Sequence, residues 1–200
     1  ENIYTAIEPV EEKEYYAVSS AQERMYVLNQ FKGIKTGYNI TGVTIIEGTI
    51  DKLRLENTFH TLINRHEAFR TSFEIIDGKP VQRIHKEADF NVVYMEVAEE
   101  KLNETVEKFV QPFDLSKAPL LRVGLVKMGV DIHALIYDMH HIISDGTSMG
   151  ILIKEFISLY NGQEVPEIRI QYKDFAHWQN KLFDSESINE QEEYWISEFK

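Results

Sequence analysis

The sequence predicts an α/β (α+β) fold in which helices pack on a mixed sheet whose strands are paired mostly antiparallel. Three observations support this prediction. The chain has 200 residues, of which 43% are hydrophobic and 27% charged, a composition typical of a soluble globular protein with a sizeable core. Some segments carry apolar residues at helical spacing, whereas others are β-branched runs of strand length. Two pairs of predicted strands are separated by short turns, and such hairpins are antiparallel.

Strands and helices alternate along the first half of the chain. A strand over 15–18 is followed by a helix, for which Ser20 and Glu23 form the expected capping box, and which should end by Gly33. A β-branched run predicts a strand over 40–47, and Asp51 is the expected N-cap of the next helix. The other predicted elements of this half are a hairpin over 69–85 with its turn at 77–80, a strand over 92–97 and a helix over 99–110.

The second half is predicted to place a central strand directly before a polar stretch. After a loop over 112–119, strands over 121–127 and 132–139 form a second hairpin around a turn at Met128 and Gly129. The later strand is apolar enough to lie centrally in a sheet. Helices are expected over 147–160, 172–183 and 188–199, with a loop over 162–170.

Charge and composition exclude several classes of protein. The chain carries 33 Asp and Glu against 21 Lys and Arg, a net charge of −12, and much of the excess lies in the acidic segments 1–14 and 184–200. Because there is no basic stripe, nucleic-acid binding is excluded. No apolar run approaches the ~20 residues of a membrane span, so no membrane association is expected. The absence of Cys excludes disulfides, thiolate metal sites and a cysteine nucleophile, and it favours a cytoplasmic setting.

The stretch 139–150 is the main candidate for chemistry. His140 and His141 stand where the predicted central strand ends and a polar turn leads into a helix, a position at which α/β proteins commonly place functional residues. A metal site is one interpretation. Adjacent strand residues point to opposite faces, however, so the two histidines would not share an ion, and no metal is expected.

A hydrolase nucleophile is a second interpretation, because residues 146–150 match the pattern G-x-S-x-G around Ser148. In a hydrolase of that type the serine follows its strand directly, and the acid and the histidine lie further along the chain. Ser148 instead falls in the predicted first turn of a helix, and His177 is the only histidine downstream. Ser148 is therefore expected to be a first-turn helix residue.

The string His140-His141-Ile142-Ile143-Ser144-Asp145-Gly146 resembles the active-site motif of condensation domains of nonribosomal peptide synthetases, which are relatives of chloramphenicol acetyltransferase. Three further stretches are similar to that family in the same order, namely 20–26, 65–73 and 172–179. The resemblance covers essentially the whole chain. It implies a chloramphenicol-acetyltransferase-like lobe over 15–200, the first of the family's two lobes. The second lobe would then lie outside these 200 residues, and residues 1–14 would be a linker from an upstream carrier domain.

The resemblance also implies catalytic roles for two residues. His141 would be the active histidine, which accepts a proton from the attacking amine or orients that amine. Gly146 would let a backbone amide approach the substrate closely, with the positive end of the following helix toward a developing oxyanion. The alternatives are a hydrogen-bonded scaffold histidine for His141 and a turn glycine with positive φ for Gly146.

Four other side chains are expected to be structural at this site. His140 should point away from the site and hold the strand end in shape. Asp145 is expected either to cap the following helix or, as the resemblance implies, to form a buried salt bridge with Arg65 or else with Arg70. Such a bridge would fix the geometry of the histidine loop.

The implied reaction transfers an aminoacyl or peptidyl group from a thioester on an upstream carrier domain to the amine of an aminoacyl thioester on a downstream carrier. Both substrates would be held on the 4′-phosphopantetheine of these partner domains, and the lobe itself is expected to bind no cofactor. An adjacent adenylation domain and the second lobe are further expected partners, and the isolated lobe is expected to be inactive. The alternative is a non-catalytic module that is degenerate or only docks a carrier.

Overall fold

The computed structural model describes residues 6–31, 33 and 35–199. Within these residues the strands are β1 (Tyr16–Ala17), β2 (Asn39–Glu47), β3 (Thr71–Ile76), β4 (Lys79–Ile84), β5 (Val92–Glu96), β6 (Leu121–Lys127) and β7 (Ile132–His140). The α-helices are α1 (Ser20–Asn29), α2 (Lys52–Arg65), α3 (Leu102–Phe109), α4 (Gly146–Tyr160), α5 (Tyr172–Phe183) and α6 (Glu186–Glu198). Short 3-10 turns cover Glu67–Arg70, Glu99–Lys101 and His141–Ile143. In the described part of the chain, no helix has the length and apolar character needed to cross a membrane.

The predicted mixed sheet is confirmed, with the strands divided between two sheets. The smaller sheet has the order β1-β4-β3, and both of its pairs are antiparallel. The larger sheet has the order β2-β7-β6-β5, in which β5 and β6 are parallel and the other two pairs antiparallel. β7 therefore lies inside the larger sheet, as its apolar sequence predicts. The strand ends at His140, and His141 follows it in a 3-10 turn.

Helices cover both faces of the larger sheet. On one face, α2 and α4 pack through the largest apolar cluster, which contains Leu55, Phe59 and Met139. On the other face, α3 packs on a smaller cluster around Val126 and Ile136. This alternation along β6 and β7 follows from the two-residue period of a strand. It fixes which way each residue near the end of β7 points.

The first helix is capped by a different pair of residues from the predicted one. Ser19 is the N-cap, and its Oγ accepts a hydrogen bond from the Gln22 amide at 3.2 Å. The Gln22 Oε1 in turn accepts from the Ser19 amide at 3.0 Å. The expected box of Ser20 and Glu23 is therefore wrong by one residue, because Gln completes this motif as well as Glu does. The Ser20 hydroxyl instead donates to Gln179 at 3.1 Å.

Other element boundaries differ by a few residues from the predictions. Asp51 caps α2 as expected, accepting from the Arg54 amide at 3.0 Å. Phe69, expected in a strand, lies in the 3-10 turn before β3, because an apolar residue is buried equally well by either conformation. The last helix begins two residues earlier than the predicted start at 188.

The acidic segment at the start of the chain is attached to the domain. Residues 6–14 form no helix or strand, and residues 1–5 of the predicted linker lie outside the described residues. The Val10 amide donates to the buried carboxylate of Asp174 at 2.9 Å, and Glu14 pairs with Arg83 at 3.0 Å. The predicted solvated linker is therefore held against α5 and the smaller sheet for part of its length.

Candidate active site

The histidine pair lies where β7 ends and the chain turns toward α4. His140 is the last residue of the strand, and its amide donates to the Leu120 carbonyl at 3.0 Å. His141 begins the 3-10 turn, and its amide donates to the Tyr38 carbonyl at 2.8 Å. The backbone of both residues is therefore held by neighbouring segments on two sides. A side chain projected from this point has a well-defined position.

His140 is a buried, neutral scaffold residue. It is 1% exposed, and its ring lies between those of Tyr38 and Phe113. Its Nδ1 accepts a hydrogen bond from the Ile142 amide at 3.1 Å, so the ring proton is on Nε2. Burial, together with the charge of His141, lowers the pKa of His140 from 6.5 to about 4. The burial and the internal hydrogen bond of His140 are consistent with the structural role expected for it, which stays a prediction.

His141 has the opposite environment. It is exposed at the start of the 3-10 turn, one residue after the buried His140. It is close enough to Asp145 for its charge to contribute to lowering the pKa of that carboxyl. Of the two histidines, His141 is therefore the one exposed to solvent.

Asp145 caps α4 instead of forming a salt bridge. Its carboxylate accepts from the amide and the hydroxyl of Ser148, both at 2.8 Å. The amide bond from Ser148, then the hydroxyl bond, hold the pKa of Asp145 below its usual value. Asp145 is exposed, so the buried bridge that the resemblance implies is absent and the capping alternative is the one observed.

Both arginines proposed as partners of Asp145 bind elsewhere. Arg65 makes two hydrogen bonds to Glu155 of α4, at 3.0 and 3.2 Å. Arg70 donates to backbone carbonyls, among them those of Ile63 at 3.1 Å and His85. Arg65 therefore connects its motif to α4, but through Glu155 in the third turn of this helix and not through its N-cap, Asp145.

Glu155 is a site residue that sequence reasoning missed. Its carboxylate also contacts the Nε2 of His66 at 2.7 Å, and its side chain is 14% exposed. Burial alone would raise the pKa of this carboxyl, but the hydrogen bonds from Arg65 and His66 outweigh burial, so the pKa lies below its ordinary value. A glutamate at an inward position of a largely apolar helix was the available signal, because such a carboxylate needs a cation.

Gly146 is the first residue of α4, and neither its backbone conformation nor the space around it requires a glycine at this position. Its φ is not positive, so the turn-glycine alternative is wrong. A Cβ added at Gly146 would meet no atom within 4 Å. The space in front of the first turn of α4 is therefore open on the side that this residue faces.

A second buried cluster near the end of β7 was also missed. Asp138 is fully buried and accepts from Asn39 at 2.9 Å, from Thr41 at 3.0 Å and from Arg122 at 2.9 Å. The Arg122 guanidinium in turn lies 3.7 Å from the centre of the Phe113 ring, which also contacts His140. An aspartate inside an apolar strand, with an arginine on the preceding strand, was the signal for this ion pair.

The residues considered for metal or hydrolytic chemistry are not brought together. Within the described ranges, no group of three or more His, Asp or Glu side chains is placed to hold a metal ion. The Ser148 hydroxyl donates to Asp145, and Ser148 lies in the first turn of α4. This hydroxyl is thus used within the cap of α4, which agrees with the expected role of Ser148 in the helix start.

Comparisons with known proteins identify the family. A model of the condensation domain matches residues 12–200. Gramicidin S synthase 2 of Brevibacillus brevis is 57% identical over 98% of this chain, which spans 4% of the synthase. Tyrocidine synthase 3 of Brevibacillus parabrevis is 53% identical over 98% of this chain, which spans 3% of that synthase. The chain thus corresponds to a small part of these relatives.

Solved structures confirm the fold. The X-domain from teicoplanin biosynthesis has a TM-score of 0.86 and 26% identity, and the match covers 96% of this chain and 44% of that one. The starter condensation domain of the rhizomide synthetase has a TM-score of 0.80 and 21% identity, over 93% of this chain and 48% of that one. Because the family model spans nearly the whole chain and the histidine motif lies at the end of a central strand, this chain belongs to the condensation domain family.

Proposed function

We propose that this chain is the catalytic first lobe of a condensation domain that forms peptide bonds in a nonribosomal peptide synthetase. It would transfer an aminoacyl or peptidyl group from an upstream carrier-bound thioester to the amine of a downstream carrier-bound aminoacyl thioester. The observation that carries the proposal is the exposed His141 beside the open first turn of α4. The identity to synthases of gramicidin S and tyrocidine supports it.

The chemistry of this reaction determines which groups the site needs. An α-amine with a pKa near ~8 is already partly neutral at cytoplasmic pH, and a thioester is a reactive acyl group. As the nitrogen attacks the carbonyl carbon, its proton becomes acidic and negative charge develops on the carbonyl oxygen. The site therefore needs a proton acceptor and hydrogen-bond donors for the oxyanion, after which the pantetheine thiolate leaves with a proton.

His141 and Gly146 would supply these groups. The exposed ring of His141 would accept the proton or orient the amine. The backbone amide of Gly146 stands at the positive end of α4, where developing negative charge is stabilised. Since the Asp145 carboxylate already binds the Ser148 amide, the Gly146 amide is the proposed first-turn donor.

A non-catalytic docking module is the alternative, and it is not favoured. Two relatives that are 57% and 53% identical to this chain over 98% of its length are named gramicidin S synthase 2 and tyrocidine synthase 3. The X-domain, which has been solved in a complex with OxyB, is 25% identical to this chain. The motif residues His141, Asp145 and Gly146 are all present in this chain, as turnover would require.

The proposal extends to the parts outside this chain. The solved relatives are about twice its length, and we propose that residues 15–200 form the first of two lobes, with residues 1–14 leading from an upstream carrier. Carriers loaded through phosphopantetheine and an adenylation domain would be the partners. Residues 1–200 alone should then give little or no peptide formation, because half of the substrate channel would be missing.

The test is single-turnover dipeptide formation between two loaded carriers, catalysed by the complete condensation domain. His141→Ala should lower the rate by about 10²- to 10⁴-fold, the contribution of a general base, while carrier binding is unchanged. Ser148→Ala, in the same loop, is the matched control and should retain activity. Carrier binding without any turnover in the unsubstituted domain would favour the docking alternative and overturn the proposal.

A further inference from the structure

A cavity of about 400 Å³ adjoins the active-site loop. Its walls come from the 3-10 turn after α2, from α4, and from the segment that leads into α5. Ile143 and Ser144, which belong to the histidine loop, also line it. Because the Ser144 amide is hydrogen-bonded to the His141 carbonyl, the cavity begins within one turn of the backbone of His141.

The cavity offers mainly apolar surface to an occupant. Its apolar lining includes Phe69, Ile143, Leu152, Ile168, Ile170 and Phe175. Phe69 is buried and Phe175 is partly buried, so this wall is built into the domain. A cavity of this volume and character is in the range that holds small organic groups.

The charged side chains of the cavity are already paired with one another. Glu155 makes two hydrogen bonds with Arg65 and one contact with His66, and the Arg65 and Glu155 side chains are only 16% and 14% exposed. The charges of this pair cancel. A ligand with its own charge would therefore find no unpaired opposite charge in this cluster and would lose its hydration on entering.

Two neutral polar side chains of the cavity, Gln171 and Tyr172, are engaged as well. The Gln171 Oε1 accepts from the Glu67 amide at 3.2 Å, and its Nε2 donates to the Arg65 carbonyl at 3.0 Å. The Tyr172 hydroxyl is hydrogen-bonded to Ser19 at 3.0 Å. Since these groups bind within the protein, the surface left for a ligand is apolar.

We propose that this cavity receives the uncharged, apolar side chain of one of the two thioester-bound amino acids. The inference rests on the proposed function, because it assigns a subsite to the same reaction. Burying a branched or aromatic side chain here would favour substrates that carry one over glycine. His66 and Glu155, which line the cavity, would with Arg65 holding the Glu155 carboxylate form a fixed wall that discriminates against charged side chains.

The proposal is tested by filling the cavity in the complete condensation domain. Ile151 lines the cavity and is 49% exposed, so Ile151→Trp adds volume from the open side without replacing a core residue. Ile157 lies on the same helix, is 54% exposed and does not line the cavity, so Ile157→Trp is the matched control. Ile168→Trp, on another wall, provides a second filling variant if the first does not fold.

Single-turnover rates would be measured with carriers loaded with leucine or glycine, first at the donor position and then at the acceptor position. In one of the two arms, each filling variant should lower the single-turnover rate for leucine at least tenfold and change that for glycine less than twofold, since pocket contacts of this size are worth about 10- to 200-fold. The position at which leucine is affected, donor or acceptor, identifies the amino acid whose side chain occupies the cavity. Equal losses for leucine and glycine, or no loss in either arm, would overturn the proposal.

A binding measurement separates this proposal from the proposed function. Amide-linked analogues of leucyl- and glycyl-pantetheine would be titrated into the same domain and followed by NMR. The leucyl analogue should bind more tightly than the glycyl one, and Ile151→Trp should abolish the difference. A domain that discriminates between the analogues but forms no peptide would contradict the proposed function alone, and equal binding of the two analogues would contradict the cavity proposal alone.

Discussion

His140 and His141 are neighbours in the chain, but the structure places them in opposite environments. His140 belongs to a buried side of the end of β7, together with the fully buried Asp138 two residues earlier. His141 opens an exposed side, which continues through Asp145 and Gly146 into α4. Asp138 and His140 are alternate residues of β7, so their side chains lie on the same face of the sheet. His141 is no longer part of the strand, and the 3-10 turn in which it lies exposes its side chain.

The comparison teaches that one short motif serves two purposes. On the buried side each polar group is desolvated, so its substitution should change the free energy of unfolding. On the exposed side the side chains contribute little to packing, so their substitution should change the rate and leave the fold nearly intact. Substitutions on the two sides can therefore confirm or break this division.

The largest effect on stability is expected on the buried side, at Asp138. Asp138→Ala removes the acceptor for Asn39, Thr41 and Arg122, leaving a half-buried guanidinium without its carboxylate. Breaking a buried ion pair from one side costs about 3–5 kcal/mol, and the 31% exposure of the Arg122 side chain places the expected loss near ~3 kcal/mol. Urea unfolding of the complete domain would measure it.

Asp131 provides the control for this substitution. It lies in the exposed turn before β7, so Asp131→Ala should change the free energy of unfolding by less than about 0.5 kcal/mol. If the two variants were equally stable, the Asp138 cluster would not be part of the scaffold beneath the histidine loop, and the proposed division between the two sides would fail.

Protonation of His140 is expected to have a smaller effect on the free energy of unfolding than the loss of Asp138. The unfolded chain takes up a proton near pH 6.5, whereas the folded chain does so only near pH 4, because burial and the charge of His141 lower the pKa. Between these values the unfolded state binds more protons, so the free energy of unfolding falls as the pH falls, by up to about 3 kcal/mol. Full stability from this group is present above pH 6.5.

The measurement is the free energy of unfolding between pH 7 and pH 4, compared with that of His140→Asn. The Asn side chain can still accept from the Ile142 amide but does not titrate in this range. The variant should be less stable at pH 7 and should lose less stability on acidification. Parallel pH profiles for the two proteins would show that His140 is already protonated, or exposed, in the folded state.

Strong local patterns allowed most elements, and the position of the histidine motif, to be predicted from the sequence. The period of α2, the β-branched run of β2 and the apolar run of β7 predict those elements. The cap of α1 was predicted at Ser20 and lies at Ser19, because two overlapping Ser-x-x-Glu/Gln patterns are equally good capping boxes.

Long-range pairing could not be predicted in the same way. Arg65 is 90 residues from Glu155, and the sequence offers the exposed Asp145 and the buried Glu155 as equally charged partners. Only the packing of α2 beside α4 makes Glu155 the nearer one. The same limit applies to Arg122 and Asp138, whose pairing depends on the register of β6 with β7, where these two residues are directly opposite.

The smallest effect is expected at the exposed Asp145, where capping and ion pairing make different predictions. As an N-cap, Asp145 can be replaced by Asn with little change in stability, whereas Asp145→Ala should cost about 1 kcal/mol, because Ala cannot accept from the Ser148 amide. Ser148→Ala, which removes only the hydroxyl bond, should cost less than Asp145→Ala. Thermal melting of the three variants in the complete domain would rank them. If Asp145→Asn were as destabilising as Asp145→Ala, the negative charge itself would be required, and an ionic interaction of Asp145 would outweigh its hydrogen bond as a cap.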